Sequence, residues 1–165
     1  MRVQSLSAIL LAAVLSLFAS AASAQAPVRG GTLTIALPTE PTQLNSAIDT
    51  TQQVKIVAGK IFSGLVKYDL NMKLQPDLAT SWSVSKDGLK ITFNLRKGVK
   101  WHDGKPFTSA DVAFSVKKAF GQYNGLVRAV FANVDRVDTP DANTAIFIMK
   151  QPAAAIMNAL PVATA

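Results

Sequence analysis

Hydrophobic and polar residues alternate most clearly in SWSVSKDGLKITFNL, residues 81–95. Every second residue is apolar over residues 89–95, and two apolar residues alternate with serines before Lys86-Asp87-Gly88. Side chains of a strand point alternately to its two faces, and glycine adopts the positive φ that a tight turn needs. The segment therefore predicts a β-hairpin with one buried face and one exposed face.

Two other segments have apolar residues at helical spacing. Residues 52–69, QQVKIVAGKIFSGLVKYD, predict a helix that is capped just before Gln52 and fades between Gly64 and Tyr68. Residues 109–120, SADVAFSVKKAF, predict a second helix. Thr108 and Asp111 stand at the spacing of a capping box at its start.

The remaining pattern is shorter and more broken. Residues 32–38, TLTIALP, alternate like a strand and stop at Pro38, and the Thr-, Pro-, Asn- and Asp-rich residues 39–51 predict a long loop. The other predicted elements are short strands at 99–101, 134–137 and 144–150, a turn at 139–143, and a helix that starts at Pro152.

The first residues carry an export pattern. Arg2 precedes an apolar run from Ala8 to Ala19, and small residues end in Ala22-Ser23-Ala24. A membrane span needs about 20 mostly apolar residues, and this run is shorter. We therefore predict a cleaved signal peptide over residues 1–24 rather than a retained anchor, and a mature chain that begins at Gln25 in the periplasm.

Composition excludes several classes of function. The chain has no cysteine, so it has neither disulfides nor thiolate chemistry. Its net charge is +7, but the basic residues are spread along the chain without interleaved aromatic residues. This pattern is typical of a solvated basic surface, and we predict no nucleic-acid partner.

The only histidine, His102, stands beside Asp103 in the segment HDGKP. A metal site needs three or four donors, and no G-x-S-x-G nucleophile motif is present. Asp-Gly followed by proline is typical of a tight turn. We therefore predict a structural turn, with no metal, no catalytic residue and no enzyme activity. Trp82 and Trp101, which could stack on a ligand, are predicted to pack in the core.

A long segment resembles one known family. Residues 64–119, GLVKYDLNMKLQPDLATSWSVSKDGLKITFNLRKGVKWHDGKPFTSADVAFSVKKA, and the later VDTPDANTAIFIMKQP are similar to bacterial extracellular solute-binding protein family 5. These are the peptide, nickel and oligosaccharide receptors of ABC importers. The resemblance extends from about Gly30 to Leu160.

The resemblance implies an α/β fold of the type II, two-lobed periplasmic binding protein class. The chain would be its N-terminal portion, a mixed sheet with a β-hairpin and flanking helices, with the second lobe missing. It implies that residues 25–50 start lobe one, with the first strand and a loop at the cleft. Residues 51–165 would then form a small α/β subdomain that is truncated at its C-terminus.

The resemblance also implies a function. The chain would be the periplasmic component that delivers a solute, expected to be a peptide, to membrane permease subunits, as a monomer without a cofactor. Glu40 would meet a cationic amine and the threonines would donate to carbonyls; the implied ligand-binding residues are Thr39, Glu40, Thr42, Asn45, Asp49, Thr50 and Thr51. A truncated chain would bind weakly or not at all by itself. The alternative is an exported structural or interaction module that binds no solute.

Overall fold

The computed structural model describes residues 30–120, 123, 125, 128–152 and 155–161. The chain divides into two units, Met1–Ala36 and Leu37–Ala165. The predicted signal peptide lies outside the described residues, and the predicted boundaries after residues 24 and 50 stay predictions. Within the described ranges, no helix has the length and apolar character needed to cross a bilayer.

The strand predicted at residues 32–38 is not formed. Leu33 and Ile35 are 83% and 54% exposed. Their alternation is a local pattern, whereas a strand also needs hydrogen bonds to a neighbouring strand. Residues 32–38 belong to none of the strand pairs of the described chain.

The second unit is built on two antiparallel sheets. Strands β1 and β2 form the small sheet, and the large sheet has the order β3-β4-β6-β5. The strands are β1 Val66–Tyr68, β2 Leu74–Pro76, β3 Ala79–Val84, β4 Lys90–Leu95, β5 Val134–Asp141 and β6 Thr144–Met149. A mixed sheet was expected. The strand pairs observed in the described residues are instead all antiparallel, because hairpins join β1 to β2, β3 to β4 and β5 to β6.

The hairpin of β3 and β4 confirms the clearest sequence prediction. Trp82 pairs with Phe93 across it. Gly88 has a φ of 71° in the turn, and the Asp87 carboxylate accepts a 3.0 Å hydrogen bond from the backbone N–H of Leu89. The apolar face of β4 is buried and the opposite face is mostly exposed, as the alternation predicts.

Helix α1 spans Gln52–Ile61, with Thr51 as its N-cap residue. It ends earlier than predicted, because Phe62 is already extended and Val66–Tyr68 pairs with Leu74–Pro76 instead. Strand pairing thus overrides the helical spacing of the apolar residues.

Helix α2 confirms the second helical prediction. It runs as an α-helix over Ser109–Phe114 and continues as a π-helix over Ser115–Phe120. Asp111 Oδ2 accepts hydrogen bonds from the Thr108 backbone N–H at 2.7 Å and from the Thr108 hydroxyl at 3.0 Å. The predicted stripe of Val112, Val116 and Phe120 is buried.

The shorter elements depart from their predicted bounds. The strand expected at 99–101 is only an isolated bridge between Lys100 and Pro106, because the chain turns back immediately after it. Strand β5 is longer than predicted because its pairing with β6 continues to Asp141. Helix α3 spans Arg128–Phe131 and helix α4 spans Ala155–Ala159.

The core lies between the large sheet and the buried faces of its helices. Phe93 and Phe147 are fully buried on adjacent strands, with ring centroids 5.0 Å apart. Phe120 of α2 contacts Phe131 of α3, also at 5.0 Å. Trp82 packs against this core, as predicted.

Candidate functional site

The loop between residues 39 and 51 contains all seven implied ligand-binding residues. It has one turn, at residues 46–48, and leads into α1 at Thr51. Its buried residues are Ser46 and Ala47, which are both 2% exposed. Of the seven, Thr39, Glu40, Thr42 and Thr51 are exposed, and Asn45, Asp49 and Thr50 are half-buried.

Asn45 organises the turn of this loop. Its side-chain Oδ1 accepts a 2.8 Å hydrogen bond from the backbone N–H of Ala47. Its backbone carbonyl accepts hydrogen bonds from the N–H groups of Ile48 and Asp49, both at 3.2 Å. An asparagine side chain that mimics a turn in this way is a common loop device. The Asn45 side-chain oxygen is therefore engaged within the loop.

Asp49 closes the loop. The Thr42 hydroxyl donates to Asp49 Oδ2, and the backbone N–H of Thr51 donates to Oδ1 at 2.8 Å. These hydrogen bonds, with that of Thr42 contributing most, hold the pKa of Asp49 below its usual value. Thr42 was expected to donate to a ligand carbonyl, but here its hydroxyl donates its hydrogen bond to Asp49.

A groove of about 430 Å³ adjoins this loop. Three parts of the second unit line it: the loop itself, the turn that follows Trp101, and the outer side of α2. The lining residues are Asn45, Ala47, Trp101, His102, Asp103, Lys105, Asp111, Phe114, Ser115 and Ala119. Of the implied ligand-binding residues, only Asn45 is among them.

The His102–Asp103 segment is a tight turn, as predicted. The backbone N–H of Trp101 donates to the Lys105 carbonyl at 2.8 Å, and that of Gly104 donates to the Trp101 carbonyl at 2.9 Å. The Asp103 carboxylate accepts a 3.0 Å hydrogen bond from the Lys105 N–H and pairs with Lys105 Nζ at 2.8 Å. The Lys105 side chain, followed by its backbone, lowers the pKa of Asp103. The Asp103 carboxylate is thus engaged by Lys105 within the turn.

Trp101 is a groove residue that the sequence prediction placed in the core. It is half-buried, and its ring meets Phe107 edge-on with centroids 6.0 Å apart. It also lines a second groove of about 300 Å³, together with Ile61, Phe62 and Val99. Its position beside a polar turn, rather than within a regular strand, is the signal that could have identified it.

Phe114 is the other residue that sequence analysis missed. It is 66% exposed at the junction between the α-helical and π-helical parts of α2. A π-helical turn shifts the helical register, and such turns are frequent at functional sites. The groove thus combines two aromatic rings with polar groups of both charges, which suits binding of a polar solute with apolar side groups. Among the described residues, no group of three or more His, Cys, Asp or Glu side chains is arranged to hold a metal ion.

Comparison with known proteins gives a consistent result. The family model "Bacterial extracellular solute-binding proteins, family 5 Middle" matches residues 73–165. The glutathione-binding protein GsiB of Escherichia coli O1:K1 is 37% identical over 115 residues, which cover 69% of this chain and 22% of that protein.

Solved structures agree. The binding protein AgaA from A. tumefaciens R10, in complex with agropinic acid, has a TM-score of 0.69 and 32% identity, over 76% of this chain and 26% of that one. The oligopeptide-binding protein AppA from Bacillus subtilis, in complex with a nonapeptide, has a TM-score of 0.69 and 29% identity, over 76% of this chain and 25% of that one.

The chain therefore spans about a quarter of the relatives that it matches. These neighbours are type II periplasmic binding proteins, which confirms the predicted fold class. With a family model that covers more than half of its residues, and with this fold, the chain belongs to the bacterial extracellular solute-binding proteins, family 5.

Proposed function

We propose that this chain is the N-terminal part of the substrate-binding component of an ABC importer, and that its cargo is peptides. It would act in the periplasm as a monomer, without catalysis or cofactor, and deliver solute to membrane permease subunits. The observation that carries the proposal is the groove beside the Thr39–Thr51 loop, in a chain of a solute-binding family.

The relatives' cargo favours peptides. GsiB is a glutathione-binding protein, and glutathione is a tripeptide. AppA holds a nonapeptide. AgaA holds agropinic acid, so relatives with this fold bind different solutes. Peptide is therefore the class that two of these three relatives share.

The chemistry of the surface fits a peptide. A peptide presents a cationic amino terminus, backbone amides and apolar side chains. Glu40 is an exposed carboxylate on the loop and can meet the amine. Trp101 and Phe114 offer apolar surface in the groove, and the side-chain NH₂ of Asn45 can donate to a backbone carbonyl.

We expect weak binding by this chain alone. Tight solute sites bury most of the ligand surface, which removes water from the polar contacts. The groove is open to solvent and lies on one surface, so its contacts stay hydrated. A dissociation constant near 1 mM, which corresponds to about −4 kcal/mol, is the expected scale.

Nuclear magnetic resonance tests the proposal at this affinity. The ¹⁵N-labelled chain would be titrated with glutathione and with a mixed oligopeptide pool. We expect amide shifts to concentrate in residues 39–51 and 101–105. Sub-micromolar affinity would contradict the single-surface argument, and an absence of shifts in both segments at millimolar peptide would contradict peptide binding.

A charge variant tests the role of Glu40. Glu40→Gln should weaken binding of a peptide with a free amino terminus and leave binding of its N-acetylated form unchanged. Asp135→Asn also removes one negative charge, at an exposed position on β5, and is the matched control. Equal weakening by both variants would show a general charge effect and would remove Glu40 from the site.

A further inference from the structure

The turn between β1 and β2 exposes two large apolar side chains. We call residues 69–73, DLNMK, the hairpin tip. Leu70 is fully exposed and Met72 is 70% exposed. Single exposed apolar residues are ordinary, but here two stand within three residues at the end of a hairpin.

Hydrogen bonds fix the shape of the tip. The Met72 N–H donates to the Asp69 carbonyl, and the Asp69 N–H donates to the Lys73 carbonyl, both at 3.0 Å. Asp69 Oδ1 accepts from the backbone N–H groups of Asn71 at 2.8 Å and Lys73 at 2.9 Å, and Oδ2 accepts from Gln75 at 3.1 Å. The carboxylate is therefore occupied by its own turn, and the apolar side chains remain outside.

Met72 has an unfavourable backbone conformation. Its φ is 58°, and it is the only non-glycine residue with positive φ among those that the structure describes. This position of a hairpin loop normally holds glycine or asparagine, because a bulky side chain is strained there. A methionine at this point therefore places an apolar side chain on the tip at a cost to the fold.

The base of the hairpin is anchored. Val66 is 1% exposed. The Leu65 carbonyl accepts hydrogen bonds from the N–H groups of Asp77 at 3.3 Å and Ala79 at 2.9 Å. The Tyr68 hydroxyl reaches the Asn158 carbonyl at 3.4 Å. The tip is thus the free end of a hairpin with a fixed base.

Two cations stand beside the exposed apolar groups. Lys67 and Lys73 are both exposed. In the described part of the chain, neither of them belongs to an ion pair. With the ionised Asp69 counted against the two lysines, residues 67–73 carry a net charge of +1 beside the exposed apolar atoms, which is complementary to an anionic surface with an apolar layer beneath it.

We propose that the hairpin tip docks the chain on a membrane surface of anionic phospholipid. Leu70 and Met72 enter the boundary of the acyl chains, while Lys67 and Lys73 lie against the phosphate groups. A protein partner fits less well, because a stable protein interface buries about 1,200–2,000 Å² and the narrow tip offers only a few side chains. A bilayer accommodates a narrow tip, and the attachment is weak and reversible.

Vesicle co-sedimentation tests this inference. The chain without its predicted signal peptide would be mixed with vesicles of equal parts phosphatidylglycerol and phosphatidylethanolamine, and separately with phosphatidylcholine vesicles. We expect binding to the anionic vesicles that weakens with added salt. Leu70→Ser and Met72→Asn should each lower the partition coefficient about tenfold, and Lys67→Gln or Lys73→Gln about fivefold each.

Met72→Asn separates docking from folding. Asparagine tolerates positive φ, so this variant should melt no lower than the parent chain while it loses membrane binding. Val84→Ser, which removes an apolar side chain that is 52% exposed on β3, is the control and should bind like the parent. Equal binding to the two vesicle types, unchanged binding of the tip variants, or an equal loss in Val84→Ser would each overturn the proposal. These results are independent of peptide binding.

Discussion

The Thr42 hydroxyl donates a hydrogen bond to Oδ2 of Asp49, seven residues further along the chain. The other carboxylate oxygen accepts from the Thr51 backbone N–H at 2.8 Å. The two contacts tie the start of the Thr39–Thr51 loop to its end. They also stabilise the ionised carboxylate, which lowers the pKa of Asp49.

Removal of this hydroxyl should therefore raise the pKa of Asp49. Thr42→Val keeps the side-chain shape but cannot donate, so the Asp49 titration midpoint should move up towards its usual value. Thr39→Val, on the same loop, is the control and should leave the midpoint unchanged. Carboxyl-carbon nuclear magnetic resonance measures both midpoints, and an unchanged value in Thr42→Val would refute the assignment.

Stability of the fold should decrease in acid. Five aspartates share one arrangement, in which the carboxylate accepts a hydrogen bond from the backbone N–H two residues ahead. They are Asp49, Asp69, Asp87, Asp103 and Asp141. The pKa of each is lowered by hydrogen bonds to the carboxylate. The largest contribution comes from a side chain for Asp49, Asp87 and Asp103, namely that of Thr42, Ser85 and Lys105 in that order. For Asp69 and Asp141 it comes from the backbone N–H of Lys73 and of Asn143.

A lowered folded-state pKa fixes the sign of this effect. The stabilisation is fully present above the unfolded-state pKa of about 4 and is lost as the pH falls through the lowered folded-state values. Thermal unfolding followed by circular dichroism should thus give a constant melting temperature from about pH 7 to pH 5 and a falling one below pH 4. A melting temperature that rises on acidification would contradict this prediction.

The Phe93–Phe147 contact should be central to the stability of the sheet. Both rings are fully buried on adjacent strands, so Phe93→Ala should lower the free energy of unfolding by about 3–5 kcal/mol. Phe114→Ala, at an exposed position, should change it by less than about 0.5 kcal/mol. Urea denaturation measures both, and similar losses in the two variants would contradict the assigned core.

Alanine substitutions of Gly88 and Gly104 together test how closely the β3–β4 turn packs against Pro152. Both have positive φ, 71° and 86°, so alanine should cost about 1–2 kcal/mol of backbone strain at either position. A Cβ at Gly88 would also lie 3.1 Å from Pro152 Cβ, whereas one at Gly104 meets nothing within 4 Å. Gly88→Ala should therefore be the more destabilising in urea denaturation, and the reverse order would refute the Pro152 contact.

Helix α2 should depend on its first-turn carboxylate. Asp111→Ala removes the acceptor for the Thr108 N–H and hydroxyl, and should lower the free energy of unfolding by about 1 kcal/mol. Asp135→Ala removes only an exposed ion pair with Arg136, which is worth less than about 1 kcal/mol. Thermal melts of the two variants compare these contributions, and equal shifts would count against the cap.

Local chemistry explains which elements were predictable. The β3–β4 hairpin and the start of α2 follow from neighbouring residues: the alternation over 89–95, Gly88 in the turn, and the Thr108–Asp111 spacing. Strand β1 lies in the stretch where the predicted helix was expected to fade, and no strand was predicted there. Only its pairing with β2 decides the matter.

The groove was less predictable than the fold. Asn45, Trp101 and Phe114 come from three separate segments, and tertiary packing alone brings them to one place. The loop residues could be named from the family resemblance, but their internal hydrogen bonds could not be predicted. The assignment of those residues to ligand binding therefore stays a prediction.

The large sheet has a consequence for how the chain is made. Its two central strands, β4 and β6, are adjacent in space, but β6 begins only at Thr144. A nascent polypeptide that has emerged only as far as residue 120 has no partner for the open side of β4, so the sheet cannot be completed early in synthesis. Such delayed closure is typical of long-range strand pairing, and it leaves the growing chain without a completed core until β6 has been made.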